Sequence, residues 1–233
     1  MKNLTFVFST IFFLSVSIVI SAQSICKSQL TNCDLLFVAP KESNAITSVA
    51  VGFSNLGIDH VAAVVMKKER EEKKEESFWT RKIGVIESVP KVGVREIDLD
   101  SFLMSHTDDV IIVGRLKEMF DVSKTLEHLQ SHLGLPYDSL YLENNDAIYC
   151  SELVLRCYVD SMGQFIFAPI AMTFRNTEDV IPAYWNNLYM RHGMAVPEGK
   201  NGSNPGELSR REQVAIIGCL REKLKEKKGK WRE

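Results

Sequence analysis

Three residues in this chain have the types that thiol-based nucleophilic chemistry needs: Cys150, His60 and Glu87. That chemistry takes a nucleophile, a base to accept its proton and a group to orient the base. Tyr149-Cys150-Ser151-Glu152-Leu153-Val154 opens a strong helical pattern, with Asn144, Asn145 and Asp146 just upstream as turn and cap residues. A cysteine in the first turn of a helix feels the positive end of the helix dipole, which favours thiolate over thiol. The unbonded backbone N–H groups of the same turn can stabilise an oxyanion on an attacked carbonyl. Cys150, Leu153, Val154 and Cys157 share one helical face by their spacing, and that face is apolar. It is therefore expected to lie against a sheet. Against this stands a plainer reading, in which a buried cysteine only fills a core. Cys157, mid-helix on the apolar side, reads that way. His60 and Glu87, each taken alone, read equally well as a satisfied histidine and a salt-bridged carboxylate.

The elements that must position these residues are legible in outline. Asp34–Val38 reads as a buried strand closed by Ala39-Pro40. Residues 41–56 read as a short helix or loop, with Ala45, Ile46, Val49 and Val51 on an apolar side. His60–Met66, Ile83–Val89, Val92–Leu99 and Val110–Leu116 read as strands. The dense charge run from Lys67 to Glu76 predicts a solvated hairpin tip. A hairpin turning near Lys73-Lys74 sets His60 opposite Glu87, on the same sheet face. A slip of one residue would part them. Residues 117–133 carry helical spacing, with Met119, Val122, Leu126, Leu129 and Leu133 on one face and Gly134 ending it. A second helix is expected over Tyr149–Met162, stopped at Gly163. Phe165–Ile170 is expected to return as a strand, and 196–207 to be a surface loop. Ser209-Arg210-Arg211-Glu212 has capping-box spacing and predicts a final helix running into the basic tail Lys223–Lys230. The class is α+β, an antiparallel sheet packed against a central helix that bears the cysteine.

Bulk properties narrow the setting. The chain has 233 residues and a formal charge of −2, which argues against nucleic acid as its main partner. Lys2, the apolar run Leu4–Ile20 and the small residues Ser21-Ala22 match a secretory signal peptide, with cleavage expected after Ala22. Residues 1–22 are thus read as a signal peptide and 23–233 as a single domain with a C-terminal helical extension. Ser24-Ile25 before Cys26 lacks the small residue expected beside a lipidated cysteine. No later segment is long and apolar enough to span a bilayer, so a secreted or periplasmic protein is expected. Five cysteines then meet an oxidising compartment, where Cys26 and Cys33 are close enough in sequence to clip the mature N-terminus. Zinc is not expected, on the reading that neither Cys-x-x-Cys nor His-x-x-x-His spacing occurs.

Four strings taken in order resemble a known family: Asp34-Leu35-Leu36-Phe37-Val38, Ile58-Asp59-His60-Val61, Val85-Ile86-Glu87-Ser88 and Tyr149-Cys150-Ser151-Glu152-Leu153-Val154. They resemble the YiiX/YaeF family of permuted papain-like amidases, relatives of NlpC-type cell-wall hydrolases and of lecithin retinol acyltransferase. The histidine precedes the cysteine, the order of the permuted group. The resemblance spans roughly residues 34–190 and implies a permuted papain-like fold. It implies Cys150 as nucleophile, His60 as general base and then acid, and Glu87 as the orienting third member. It implies the Cys150 backbone N–H as an oxyanion donor, with Tyr149 assisting there or against the substrate, and no metal or organic cofactor. The reaction implied is cleavage of an amide or ester through a Cys150 thioester, on cell-envelope peptides or lipid acyl groups. Three other readings stay open: an acyltransferase on the same site, a catalytically silent binding module, and a structural protein whose Cys150 pairs with Cys157 or Cys219.

Overall fold

A computed structural model describes residues 24–73, 76–143 and 145–220. The expected signal peptide, Lys74-Glu75 where a hairpin turn is expected, Asn144 and the basic tail lie outside the described residues. In chain order come β1 (Ser24–Ile25), β2 (Leu35–Ala39), β3 (His60–Lys73), β4 (Glu76–Val89), β5 (Gly93–Asp98), α1 (Leu99–Ser105), β6 (Val110–Leu116) and α2 (Val122–Ser131). Then follow α3 (Cys150–Cys157), β7 (Ile170–Ala171), α4 (Ala183–Arg191), β8 (Asn201–Gly202), α5 (Pro205–Leu208) and β9 (Val214–Leu220). Seven strands form one sheet in the order β1-β9-β6-β2-β3-β4-β5, antiparallel except where β1 runs parallel to β9.

Both faces of this sheet are covered, which is why β2 is an unbroken apolar run and not an alternating one. Leu35 and Phe37 pack with Ala63, Val65, Ile86 and the α3 residues Leu153, Val154 and Cys157. Leu36 and Val38 pack on the opposite side with Ala62, Val64, Val85 and the α1 residues Leu99, Phe102 and Leu103. Complete burial of a side chain such as Phe37 contributes about 1.5–3 kcal/mol. The sheet thus holds α3 on one face and α1 on the other.

The central hairpin pairs Ala63 with Ile86 and Lys73 with Glu76, two residues away from the expected register. A two-residue shift preserves the face of every side chain. His60 and Glu87 therefore stay on one side, as diagonal neighbours and not as a directly opposed pair. Lys67–Lys73 continues β3, so the charged run is mostly strand and little of it is left for a turn.

Several expectations fail for identifiable reasons. Among the described residues no helix starts at Ser209 where the C-terminal helix is expected, and Val214–Leu220 forms a strand between β1 and β6. The Ser209 hydroxyl caps nothing downstream; it accepts from Phe53 N at 2.9 Å and donates to Gly206 O at 2.7 Å. The β-branched run then pairs in the sheet. The segment 196–207 is not a surface loop. It holds β8 and α5, with Asn204 as N-cap and Pro205 in the first turn, and Ser203, Pro205 and Gly206 are buried. Gly206 is required there, since a Cβ would sit 2.3 Å from Ala50 O. α2 starts at Val122 because Asp121 accepts from Lys124 N at 2.9 Å, leaving Met119 95% exposed. α3 ends at Cys157, where Tyr158 turns extended and donates its hydroxyl to Cys33 O at 3.0 Å. The strand expected over Phe165–Ile170 reduces to a single bridge, Val159 with Phe165, and to β7. Cys26 and Cys33 are free thiols, one exposed and one buried, so no clip joins them.

Candidate active site

His60 is the first residue of β3 and pairs with Val38 of β2. Strand alternation groups it with Ala62 and Val64 on the α1 side, where its ring meets Phe102 and stacks on His106 with centroids 6.1 Å apart. At a strand end the sheet no longer separates its two sides. From there the imidazole also comes within hydrogen-bonding reach of the Cys150 side chain at the front of α3.

Glu87 is almost wholly buried, at 1% exposure. Its Oε2 takes a 2.7 Å hydrogen bond from His60 Nε2, and its Oε1 accepts from Arg95 Nε at 2.9 Å. Arg95 stands directly opposite Glu87 in the β4–β5 pair. Three neighbouring strands thus supply a row of imidazole, carboxylate and guanidinium. Burial by itself would raise the Glu87 carboxyl pKa, but the hydrogen bond and charge of His60, followed by those of Arg95, hold it below the usual carboxylate range. Burial likewise pushes the His60 pKa down, yet Cys150 and Glu87 outweigh it and raise it to about 10. The imidazole therefore keeps its proton at neutral pH. With Nε2 committed to Glu87, Nδ1 is the nitrogen left for Cys150.

The front of α3 is fixed from several directions. Ser88, next to Glu87, donates its hydroxyl to Ile148 O at 2.6 Å, and Ile148 N bonds Pro136 O at 2.9 Å. Tyr149 is the N-cap of α3 and Cys150 its first residue, 4% exposed. The Tyr149 hydroxyl is occupied, accepting from Ser203 N at 3.1 Å and pointing to Met172 Sδ at 3.8 Å.

A cleft beside Cys150 is lined by Ile46, Val49, Tyr137, Tyr141, Tyr149, Met172, Phe174 and Trp185, with Asp59 its one ionisable carboxylate. Burial, then proximity to Cys150, raises the Tyr137 pKa, so its hydroxyl stays protonated; it lies 3.4 Å from that of Tyr141. Asp59 accepts from Asn44 Nδ2 at 2.6 Å. Burial raises its pKa, against the lowering by Asn44 and by the charge of His60.

The structure thus brings together Cys150, His60 and Glu87, and sets Tyr149 in the wall of the cleft. Arg95, Asp59, Tyr137, Tyr141 and Trp185 were not singled out from sequence. Arg95 had a readable signal, since the short turn between β4 and β5 puts it opposite Glu87. The tyrosines sit in irregular chain around Asp138, whose carboxylate gathers Leu140 N, Leu142 N and Asn145 Nδ2, and periodicity does not reach such segments. The expectation that no His-x-x-x-His spacing occurs fails at one place. His128 and His132 stand four apart at the end of α2. No group of three or more His, Cys, Asp or Glu side chains that could hold a metal ion occurs among the described residues.

Comparisons with known proteins agree with this fold and give the family. Residues 29–216 match the family described as permuted papain-like amidase enzyme, YaeF/YiiX, C92 family. No curated protein sequence matches the chain. The crystal structure of metalloprotein yiiX from Escherichia coli O157:H7 superposes with a TM-score of 0.61 at 19% identity, covering 82% of this chain and 98% of that one.

Proposed function

The chain belongs to the permuted papain-like amidase family of YaeF and YiiX, a family of cysteine hydrolases, and from that premise we propose that Cys150, His60 and Glu87 carry out its chemistry. Cys150 attacks an amide or ester carbonyl. The backbone N–H groups that open α3 receive the oxyanion. His60, holding a proton, delivers it to the leaving amine or alcohol as the thioester forms. It then takes a proton from water, and the hydroxide equivalent releases the acid. Glu87, pinned by Arg95, orients the imidazole and stabilises its charged form. Tyr149 acts as cleft wall and through its backbone position, its hydroxyl being engaged by Ser203.

The single observation that supports this reading is the row His60, Glu87 and Arg95 converging on Cys150 at a helix front. The aromatic and aliphatic lining of the cleft favours a substrate whose acyl side is largely apolar. Export is part of the proposal and rests on the pattern of residues 1–22. No described helix is long and apolar enough to cross a membrane. The setting that follows is the cell envelope, with a peptide or lipid acyl group as substrate. Transfer of the acyl group to an acceptor other than water would use the same residues.

The test is the mass of Cys150 after brief exposure of the protein to a cell-envelope extract, with rapid acid quench. A trapped acyl thioester on Cys150, absent from Cys150→Ala, is expected. An adduct on another residue, or none while the extract is hydrolysed, contradicts the assignment.

A further inference from the structure

Three residues lining the cleft beside Cys150 carry a buried polar atom without a hydrogen-bond partner, Ser151, Trp185 and Ser203; the Ser203 hydroxyl lies against that of Tyr149, which leaves two atoms unanswered. Ser151 Oγ and Trp185 Nε1 are buried and have no hydrogen-bond partner among the described residues. Both residues line the same cleft as Cys150. Ser151 is fully buried in the first turn of α3, directly after the nucleophile. Trp185, on α4, is 2% exposed and held edge-on by Tyr141 and Phe174, with centroids 5.7 and 5.0 Å away. Native proteins leave few buried polar atoms without partners, because each one costs stability, so two in one cleft need a reason.

The chemistry of the two atoms narrows that reason. An indole N–H only donates, and a hydroxyl can donate or accept. Both can therefore donate to an oxygen acceptor. Asp59, the one ionisable carboxylate in the lining, repels an anionic ligand when ionised. A neutral carbonyl satisfies both conditions, and a carboxylate does not. A plain hydrocarbon chain would leave both donors unpaired after water is displaced.

We propose that Ser151 and Trp185 recognise a second, non-scissile carbonyl on the substrate, so that the preferred substrate is an amide or ester carrying a further amide-type carbonyl and not a simple fatty acyl chain. The inference rests on Cys150 being the nucleophile of the site. A position built to bond a polar group discriminates strongly against an analogue that lacks it.

The experiment compares two chloromethyl ketones of equal length, an N-acetylaminoacyl compound and its all-methylene counterpart. In each, the Cys150 sulfur displaces chloride and forms a C–S bond, and the second-order rate is read by intact mass. The amide-bearing probe is expected to label Cys150 about tenfold faster or more. That preference is expected to fall towards one in Ser151→Ala and in Trp185→Phe. Ser151→Ala removes an unanswered hydroxyl, so its melting temperature is expected to hold, which keeps the test valid if Trp185→Phe folds poorly. Equal rates for both probes in the unmodified protein overturn the inference and leave the proposed function standing. A preference that survives both substitutions also overturns it. Failure of both probes to label Cys150 overturns the proposed function as well.

Discussion

The two ends of α3 carry the same side chain on the same helical face, and they differ in everything around it. Cys150 and Cys157 both belong to the core cluster between the helix and the sheet. At the front, Cys150 meets an imidazole whose second nitrogen is bound to a buried carboxylate. At the back, burial followed by the nearby Cys33 pushes the Cys157 pKa up to about 12. A histidine stands there too, since His132 Nδ1 lies 3.7 Å from the Cys157 sulfur. That same nitrogen is 2.7 Å from the His128 carbonyl and donates to it, so it cannot take the thiol proton. A thiol beside an imidazole is thus not enough. What separates the two is a helix N-terminus and a third group that leaves the right nitrogen free.

Substitutions should widen or erase this contrast. The largest effect is expected from Cys150→Ala, which should reduce turnover about 10⁴-fold or more while the far-ultraviolet circular dichroism is retained. Cys157→Ala should keep turnover within about threefold and cost about 1–2 kcal/mol in urea unfolding. Comparable loss of activity in both would mean that the front thiol has no special role. His60→Ala comes next, with a fall in kcat of about 10²–10⁴-fold, the usual worth of a general acid and base. Retained turnover would assign the proton transfers elsewhere.

Glu87→Gln should act through His60. A neutral amide leaves Arg95 unbalanced and removes a stabiliser of the imidazolium, so the His60 pKa falls. Near the original alkaline limb a loss of up to about 10–100-fold is expected, the factor that one to two pKa units represent. The pH profile is the sharper readout. With the His60 pKa raised to about 10, the proton needed by the leaving group is present below that value and lost above it. Turnover should therefore decline as pH rises through about 10, while alkylation of Cys150, which needs only the sulfur nucleophile, should not decline. In Glu87→Gln the alkaline limb of turnover should move to lower pH. An unmoved limb would show that Glu87 does not govern the imidazole. The smallest effect is expected from Arg95→Met, a part-exposed partner: losing its cation leaves the Glu87 charge to His60 alone, so the same limb should shift the opposite way, to higher pH, and by less.

Much of this site was readable because its chemistry sits on regular elements. Cys150 lies at a helix start with a clear apolar face, and His60 and Glu87 lie on strands where alternation fixes the side. Even the mistaken hairpin register kept them together, because the error was two residues and not one. The reading failed where tertiary contacts outrank local pattern. Ser209-Arg210-Arg211-Glu212 has the spacing of a cap, yet its serine is used by Phe53 and Gly206. α1 was overlooked although Asp98 caps it through Ser101 N and Leu99, Phe102 and Leu103 repeat at helical spacing. The preceding strand had absorbed its first residue. The cleft was the least legible part, since Tyr137, Tyr141 and Trp185 converge from segments that are far apart in sequence, and two of the three lie in irregular chain.

The central claim is that one thiol at the front of α3 is held reactive by its neighbours. The direct measurement is the rate of iodoacetamide labelling of individual cysteines at pH 6, in the folded protein and in the urea-unfolded chain, followed by peptide mass mapping. An ordinary thiol with a pKa near 8.5 is less than about 1% thiolate at that pH. The account predicts that folded Cys150 reacts about tenfold faster or more than the same residue unfolded, that His60→Ala abolishes this advantage, and that folded Cys157 does not react. Folded Cys150 labelling no faster than its unfolded counterpart would contradict it.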